Sequence, residues 1–526
     1  MEKISSNDKE NILQSIEQKD NTINRENIYL LSISLVLGLV FNILFYKHTL
    51  GVSYPAFVLT FYGLFIWKMK DKIVFKVNFG WLLSIPVIML SLTYVFFTNP
   101  IFRALNFLAI PLLIVVQTLL ITGNNKFGWH TAEFIYDIFY AIFVRSFSHV
   151  LKPFELVSKI VHRRTAPGKY AVIKKIFTGL LISLPLILVI VMLLASADDV
   201  FRHWVGIIPG FFIQINLGDF VSQALIMLVV STVLFSYLWS LQYNRDEKSI
   251  SGAGNNGPFR KVWDPVIVIT ILIVINIIYV LFTLIQFTYL FGSVSNILPP
   301  DVTFSEYARR GFFELVLVTL INLSILLASI NLTKREGKVI DKTFRLLSSL
   351  LVICTLVMLL SAHSRMLLYE WAYGFTYLRV LTHTFMAYIF ALLVTTLVKA
   401  WNDGISLLKW YIVISIMAYL VINYVNIDAL IAQRNIERYR SIKENKAIDT
   451  YYLTCLSYDA VPFMVELLND KDKDVARDIE NYLYDAKEDL KSKRSWQSFN
   501  LSEYRAKSIL SKYELDYEAK EVEYER

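Results

Sequence analysis

The sequence predicts an all-α, polytopic integral membrane helical bundle of about eleven transmembrane helices, followed by a small helical extracytoplasmic C-terminal region. Three observations predict it. The 526-residue chain is 55% hydrophobic and 18% charged, with a mean hydropathy of +0.49, whereas soluble domains carry about 25% charged residues. Apolar runs near the length needed to cross ~30 Å of hydrocarbon at ~1.5 Å per residue recur along it. Basic residues gather in alternate short connections, the pattern that orients membrane proteins.

Residues 1–27, "MEKISSNDKENILQSIEQKDNTINREN", are polar throughout. A secretory signal needs an apolar core near the start, and the first apolar run begins only at Ile28. This segment therefore reads as a cytoplasmic tail and the first span as uncleaved. Residues 28–425 form the transmembrane domain. Its spans fall at 28–46, 52–67, 79–97, 101–122, 172–196, 220–240, 265–291, 306–332, 344–362, 376–398 and 408–425. "FIYDIFYAIFV" (134–144) is short and interrupted by Asp137, so it reads as an interfacial amphipathic helix. "FRHWVGIIPGFFIQINLGDF" (201–220), with Trp204, Pro209 and Gly210, reads as an interfacial or re-entrant loop.

With the N-terminus inside, the inner segments hold 28 Lys and Arg and the outer ones seven: Lys47, Arg103, Arg202, Arg309, Arg310, Arg365 and Arg379. That asymmetry places the N-terminus in the cytoplasm. An odd number of spans then places residues 426–526 outside. This region holds 17 basic and 21 acidic residues; long segments translocate largely regardless of charge. Ile427, Leu430, Ile431 and Ile436 recur at helical spacing, and the pattern resumes after Pro462. The closing "YELDYEAKEVEYER" is highly charged and is expected to be partly disordered.

The net charge of +8 lies in the short connections, so it is a topology signal and not a nucleic-acid surface. The two cysteines, Cys354 and Cys455, have no CxxC partner or His cluster. No metal motif, no cofactor motif, no Walker A, no GxSxG and no HExxH occurs. The sequence leans away from an enzyme.

Polar chemistry concentrates at the predicted outer ends. In "LPPDVTFSEYARRGFFEL" (298–315), Pro299 and Pro300 stiffen the approach and Thr303 with Glu306 fits a capping box. Arg310 precedes Glu314 by one helical turn, with Tyr307 close by and Asn322 two turns beyond Glu314. Glu314 is expected to be a buried carboxylate paired with Arg310, and with Arg379 and His383 from the tenth span. "SADDVFRHW" adds Asp198, Asp199 and Arg202, and "SAHSRMLLYEWAYGFTYLRVLTH", read as the ninth-to-tenth connection, adds Arg365 and Tyr369. Aromatic belts, headgroup contact by Arg and a structural ion pair account for each residue singly. Several ionisable groups at one face of a membrane bundle together indicate a functional site.

"WDPVIVITILIVINIIYVLFTLIQFTYLFG", "LPPDVTFSEYARRGFFELVLVTLINLSILL", "RMLLYEWAYGFTYLR", "ASADDVF" and "DTYYLTCLSYDAVP" resemble an uncharacterised bacterial multi-pass membrane family, a domain of unknown function of the 4173/4153 type. The resemblance covers roughly residues 80–470. It implies a bacterial cytoplasmic (inner) membrane protein and no mechanism. The first expectation is an envelope-linked transport, sensing or assembly protein whose outer cluster meets an envelope ligand or protein partner. The alternatives are a structural scaffold and a membrane-embedded enzyme acting on a lipid-linked substrate. The lipid bilayer is the one partner the composition itself requires.

Overall fold

A computed structural model of the chain describes residues 25–73, 75, 78–164, 179, 183, 190, 194, 197–198, 217–243, 262–291, 312–441, 448–492 and 495–517. In chain order the helices used below are α1 (Arg25–Phe45), α2 (Ser53–Met69), α3 (Phe79–Leu82), α4 (Ser84–Phe96), α5 (Pro100–Thr122), α6 (Phe134–Phe139) and α7 (Lys152–Arg164). They continue with α8 (Leu217–Tyr243), α9 (Pro265–Phe291), α10 (Phe312–Leu332), α11 (Lys338–Tyr373), α12 (Tyr377–Trp401) and α13 (Leu407–Tyr424). The C-terminal region holds α14 (Ile427–Ser441), α15 (Thr450–Thr454), α16 (Val461–Met464), α17 (Lys473–Lys491) and α18 (Leu501–Leu510). Among the described residues there is no strand, only a bridge between Trp263 and Thr333, and ten helical stretches are long and apolar enough to cross a membrane. The chain is an all-α polytopic membrane bundle. The expected span at 172–196 lies almost wholly outside the described residues, as does most of the expected loop at 201–220; residues 217–220 open α8.

The helices divide into two compact units, one holding α1, α2, α7 and α8 and the other α4, α9 to α13 and the C-terminal helices. In the first, α1 and α8 run antiparallel. Lys47 Nζ meets Asp219 Oδ2 at 2.6 Å at one end, and Gln242 Nε2 donates to Glu26 Oε2 at 2.9 Å at the other. That hydrogen-bonded pair raises the Lys47 pKa and lowers that of Asp219. Ser34 and Gly38, one turn apart on α1, are both buried. Small residues at this spacing let helix backbones approach closely in a membrane.

The segment expected at 134–144 is helical but irregular. α6 passes into a π-helical turn, Tyr140–Arg145, which buries Arg145, and a turn at 149–151 separates it from α7. Residues 134–160 together have the length and composition of a span, but that turn interrupts them.

In the second unit α11 departs from expectation. The apolar run predicts a span at 344–362 and a long connection after it. The helix instead runs 36 residues, about 54 Å and far longer than a hydrocarbon core. The buried stripe Cys354, Met358, Ala362 and Met366 reaches Glu370 at intervals of four, so the apolar face carries the helix past the span. It stops at Gly374, whose φ of +82° is costly for other residues. The connection to α12 is only residues 374–376.

The C-terminal helices share one core with the ends of spans. Ile427, Ile431, Leu453, Val461, Met464 and Leu483 are buried in the same cluster as Phe102 of α5 and Ile422 of α13. α17 buries Val475, Ile479, Leu483, Ala486 and Leu490 on one stripe. Its N-cap is Asp472, whose carboxylate accepts from the amides of Asp474 and Val475.

A Cβ at Gly38 would overlap Ser231 Oγ and lie 2.7 Å from Met227 O on α8, whereas one at Gly63 meets nothing within 4 Å. Gly38→Leu is therefore expected to push α1 off α8, lowering folded yield and thermal stability in detergent, with Gly63→Leu close to neutral. Equal yields for the two variants would contradict this packing.

Candidate functional site

The site lies at the end of the second unit where the C-terminal region meets α4, α11, α12 and α13. Its first part is a pair of buried carboxylates. Asn426 caps α14 through Oδ1, which accepts from the amide of Ala429 at 3.2 Å. Asp428, in the first turn, is fully buried among the apolar positions Ile427 and Ile431. Its Oδ2 accepts from Asn99 Nδ2 at 2.8 Å, and its Oδ1 takes the Tyr377 hydroxyl. Asn99 also donates to the Tyr377 oxygen at 2.8 Å, and its own Oδ1 accepts from the Phe102 amide at 3.0 Å, starting α5. Asp459 Oδ2 accepts from the Thr98 amide at 2.7 Å and the Thr98 hydroxyl at 2.8 Å. Its Oδ1 lies 3.3 Å from Asn426 Nδ2. The three-residue link between α4 and α5 is thus held by acids of the C-terminal region.

Ser457 sits between the two acids, its Oγ 2.9 Å from Asp428 Oδ2 and 3.0 Å from Asp459 Oδ2. One hydroxyl has one proton and can donate to only one of them. The hydroxyl therefore donates to Asp428 or to Asp459 at any moment, not to both. Burial raises the Asp428 pKa, opposed by the Ser457 and Asn99 hydrogen bonds and reinforced by the nearby Asp459 charge. Burial also pushes Tyr452 up to about 12, with Asp428 adding to it.

The second part joins α11 to α12. Glu370 is 2% exposed. Its Oε2 lies 2.9 Å from His383 Nε2, at ion-pair distance. Its Oε1 is buried and makes no hydrogen bond among the described residues. His383 Nδ1 is 2.9 Å from His363 Nδ1, so one ring must donate and the other accept. The ring-to-ring contact is a hydrogen bond, whereas His383 Nε2 meets the carboxylate at ion-pair distance without forming one. The two ring nitrogens face each other and not a shared ion, and among the described residues no three His, Cys, Asp or Glu side chains are arranged to hold a metal. The guanidinium of Arg379 lies 4.4 Å from the Tyr369 ring centroid and donates to the Tyr373 carbonyl at 3.1 Å and to that of Gly374. It closes the C-terminal turn of α11, where a cation complements the helix dipole.

The C-terminal region grips the connection between these helices. Asn435 Oδ1 accepts from the Phe375 amide at 2.7 Å and its Nδ2 donates to the Phe375 carbonyl at 2.8 Å. Arg438 Nε donates to the Trp371 carbonyl at 2.8 Å, and the Tyr377 amide donates to the Tyr452 hydroxyl at 2.8 Å.

Of the residues singled out from sequence, Tyr369, Arg379 and His383 come together here. Arg365 is half-buried on α11. Glu314 is exposed in the first turn of α10. The buried acid expected at Glu314 is Glu370, and it is Glu370 that His383 meets. Asn322 instead bridges spans, accepting from Tyr279 at 2.7 Å and donating to Thr355 at 3.0 Å. Asp198 is exposed; Asp199, Arg202, Tyr307 and Arg310 lie outside the described residues. The carboxylate pair was not singled out. Its signals were a Thr-Asn-Pro that opens α5 and an aspartate set within the apolar stripe of α14.

Residues 84–467 match the family described as a domain of unknown function (DUF4153). The chain belongs to this family, and the matched segment contains every residue of both parts of the site. No curated protein and no solved structure matches the chain.

Asp428→Ala leaves the Asn99, Tyr377 and Ser457 donors without their acceptor, at a cost on the order of 1–3 kcal/mol. The variant is expected to expose both the region after residue 426 and residues 375–377 to added protease. Because burial raises the Asp428 pKa above its ordinary 3.8, its contribution to docking is complete below that value. It is lost as pH rises through the folded-state pKa. Protease resistance of the wild type should fall with rising pH, and that slope should flatten in Asp428→Ala. An unchanged slope would contradict Asp428 as the source of the pH dependence.

Proposed function

We propose that this DUF4153 member is an envelope-linked sensing protein, in which the Glu370–His383–His363 chain reports protonation or ligand binding through the position of the C-terminal helices. One observation carries the reading: α14 and α15 hold residues 374–377, the short connection between the two helices that bear the chain. A change of charge at Glu370 or His383 acts on the ends of α11 and α12. Those ends are hydrogen-bonded to Asn435, Arg438 and Tyr452. An incompletely hydrogen-bonded acid in a membrane bundle is costly, which favours a working role over glue. The carboxylate pair, with its partners satisfied, fits the scaffold role within the same assembly.

The contacts within the unit support the alternation of the spans. Residues 97–99, 374–377 and 426–428 share one end. Arg345 meets Asp341 and Asp403 at 2.7 Å each, and Arg335 meets Asp403 at 3.3 Å, at the opposite ends of α11 and α12. That second end also carries Lys334, Lys338, Lys342, Lys399 and Lys409. We place it in the cytoplasm by the positive-inside rule, with the C-terminal region extracytoplasmic and the N-terminus cytoplasmic.

Two experiments test this. Alkaline-phosphatase activity is expected on fusion after residue 517 and fluorescence of a cytoplasmic reporter on fusion at the N-terminus; the reverse result would overturn the topology. Hydrogen exchange of residues 374–377 and α14 is expected to change with pH in the wild type. That change should disappear in Glu370→Gln and His383→Gln at unaltered abundance. A wild type whose exchange profile ignores pH and every envelope extract tested would leave the scaffold reading.

A further inference from the structure

We propose that Trp496, Phe499 and Tyr504 form an interfacial anchor by which the C-terminal region rests on the headgroup layer of the bilayer that the spans cross. The height of this segment is fixed by one side chain. Asn500 Nδ2 donates to the Tyr94 carbonyl at 2.8 Å and to the Phe97 carbonyl at 3.0 Å, closing the last turn of α4. The same amide's Oδ1 accepts from the Ser502 amide at 2.8 Å and the Glu503 amide at 3.1 Å, opening α18. Asn500 is itself buried. It therefore caps the end of a span and the start of a C-terminal helix at once.

The span it caps is short. Phe79–Phe96 has 18 residues, about 27 Å of helix against ~30 Å of hydrocarbon. The carbonyls that Asn500 holds must lie at the hydrocarbon boundary. Phe499 is one Cα step of about 3.8 Å away. Trp496 lies across a single turn, the Phe499 amide donating to the Trp496 carbonyl at 3.1 Å. Tyr504 packs against Phe499 with ring centroids 6.2 Å apart. These aromatics are not folded into the core: Trp496 is 62% exposed, Phe499 45% and Tyr504 62%. Arg505 and Lys507, next along α18, are exposed as well.

Trp and Tyr present an apolar body and a polar edge, and they concentrate at the membrane–water interface. Exposed aromatics followed by cations, at the depth where a span ends, match the surface of a segment lying in the interface plane. The occupant is lipid and not a protein partner, because the span sets the depth before any partner arrives. Trp496, Phe499 and Tyr504 all lie beyond residue 467, outside the family match.

The test uses the full-length protein in nanodiscs of phosphatidylcholine and phosphatidylglycerol. Cys354 is buried and Cys455 exposed, so a Cys455→Ser background leaves one labelling site in each of Trp496→Cys, Phe499→Cys and Tyr504→Cys. Spin labels at the first two are expected to collide more with oxygen than with a water-soluble nickel chelate. A label at Asp485→Cys, on the exposed face of α17, should show the opposite order. Tyr504→Cys should fall between them. In the otherwise unaltered chain, brominated lipid should quench a fluorescence component that Trp496→Phe lacks, a readout that does not depend on the cysteine variants folding. Nickel accessibility at 496 and 499 equal to that at 485, or lipid quenching unchanged in Trp496→Phe, would overturn the anchor and leave a water-facing patch.

Discussion

The structure at the functional end depends on two carboxyl groups that water does not reach. Asp428 and Asp459 come from the C-terminal region, yet most of their donors belong to the links between spans: the Thr98 amide and hydroxyl, the Asn99 amide and the Tyr377 hydroxyl. A buried acid must be neutralised or surrounded by donors. Here the donors are fixed on three helix ends, and burial raises the Asp428 pKa. The apolar core then closes around the cluster, with Phe102 and Ile422 contributed by the spans and Leu453, Met464 and Leu483 by the C-terminal helices. Separating the two would strand every one of these polar groups.

That constraint explains why the region after residue 426 does not behave as a tail. Its Asn435 treats the Phe375 peptide as a neighbouring strand would, taking its N–H and giving to its C=O. Gly374 makes the approach feasible, since a Cβ there would lie 2.5 Å from Asn435 Oδ1. Asn500 does the same service for α4. Asparagine recurs because one amide both donates and accepts, which suits it to joining two helix termini whose unpaired groups are of opposite kind. The ionisable chain of Glu370, His383 and His363 sits beside these joints and is less completely satisfied than they are.

The architecture was legible in the sequence because membrane spans depend on length and composition, which a linear reading measures directly. Class, the positions of the described spans and the helical character of the C-terminal region followed from apolar runs and periodicity. The end of α11 did not, because the stripe that carries it to Tyr373 mixes Ala362, Met366 and Glu370 with polar neighbours and looks like a connection. The site was only partly legible. Tyr369, Arg379 and His383 stood out by residue type at an expected outer end. Glu314 stood out for the same reason but projects from the exposed side of α10, and a single sequence does not say which face a neighbouring helix will cover. Asp428 and Asp459 were hidden by tertiary context, since each looks locally like an ordinary helix-start acid.

The central claim is that the spans of the second unit and the C-terminal region fold as one cooperative body around the carboxylate pair. Pulsed hydrogen exchange during denaturant unfolding of the full-length protein in micelles tests it most directly, following amides in α14 and α17 alongside those of Phe375, Tyr377 and α12. The account predicts one coincident transition for all of them. A C-terminal region that loses protection at lower denaturant, while residues 375–377 and α12 remain protected, would contradict it.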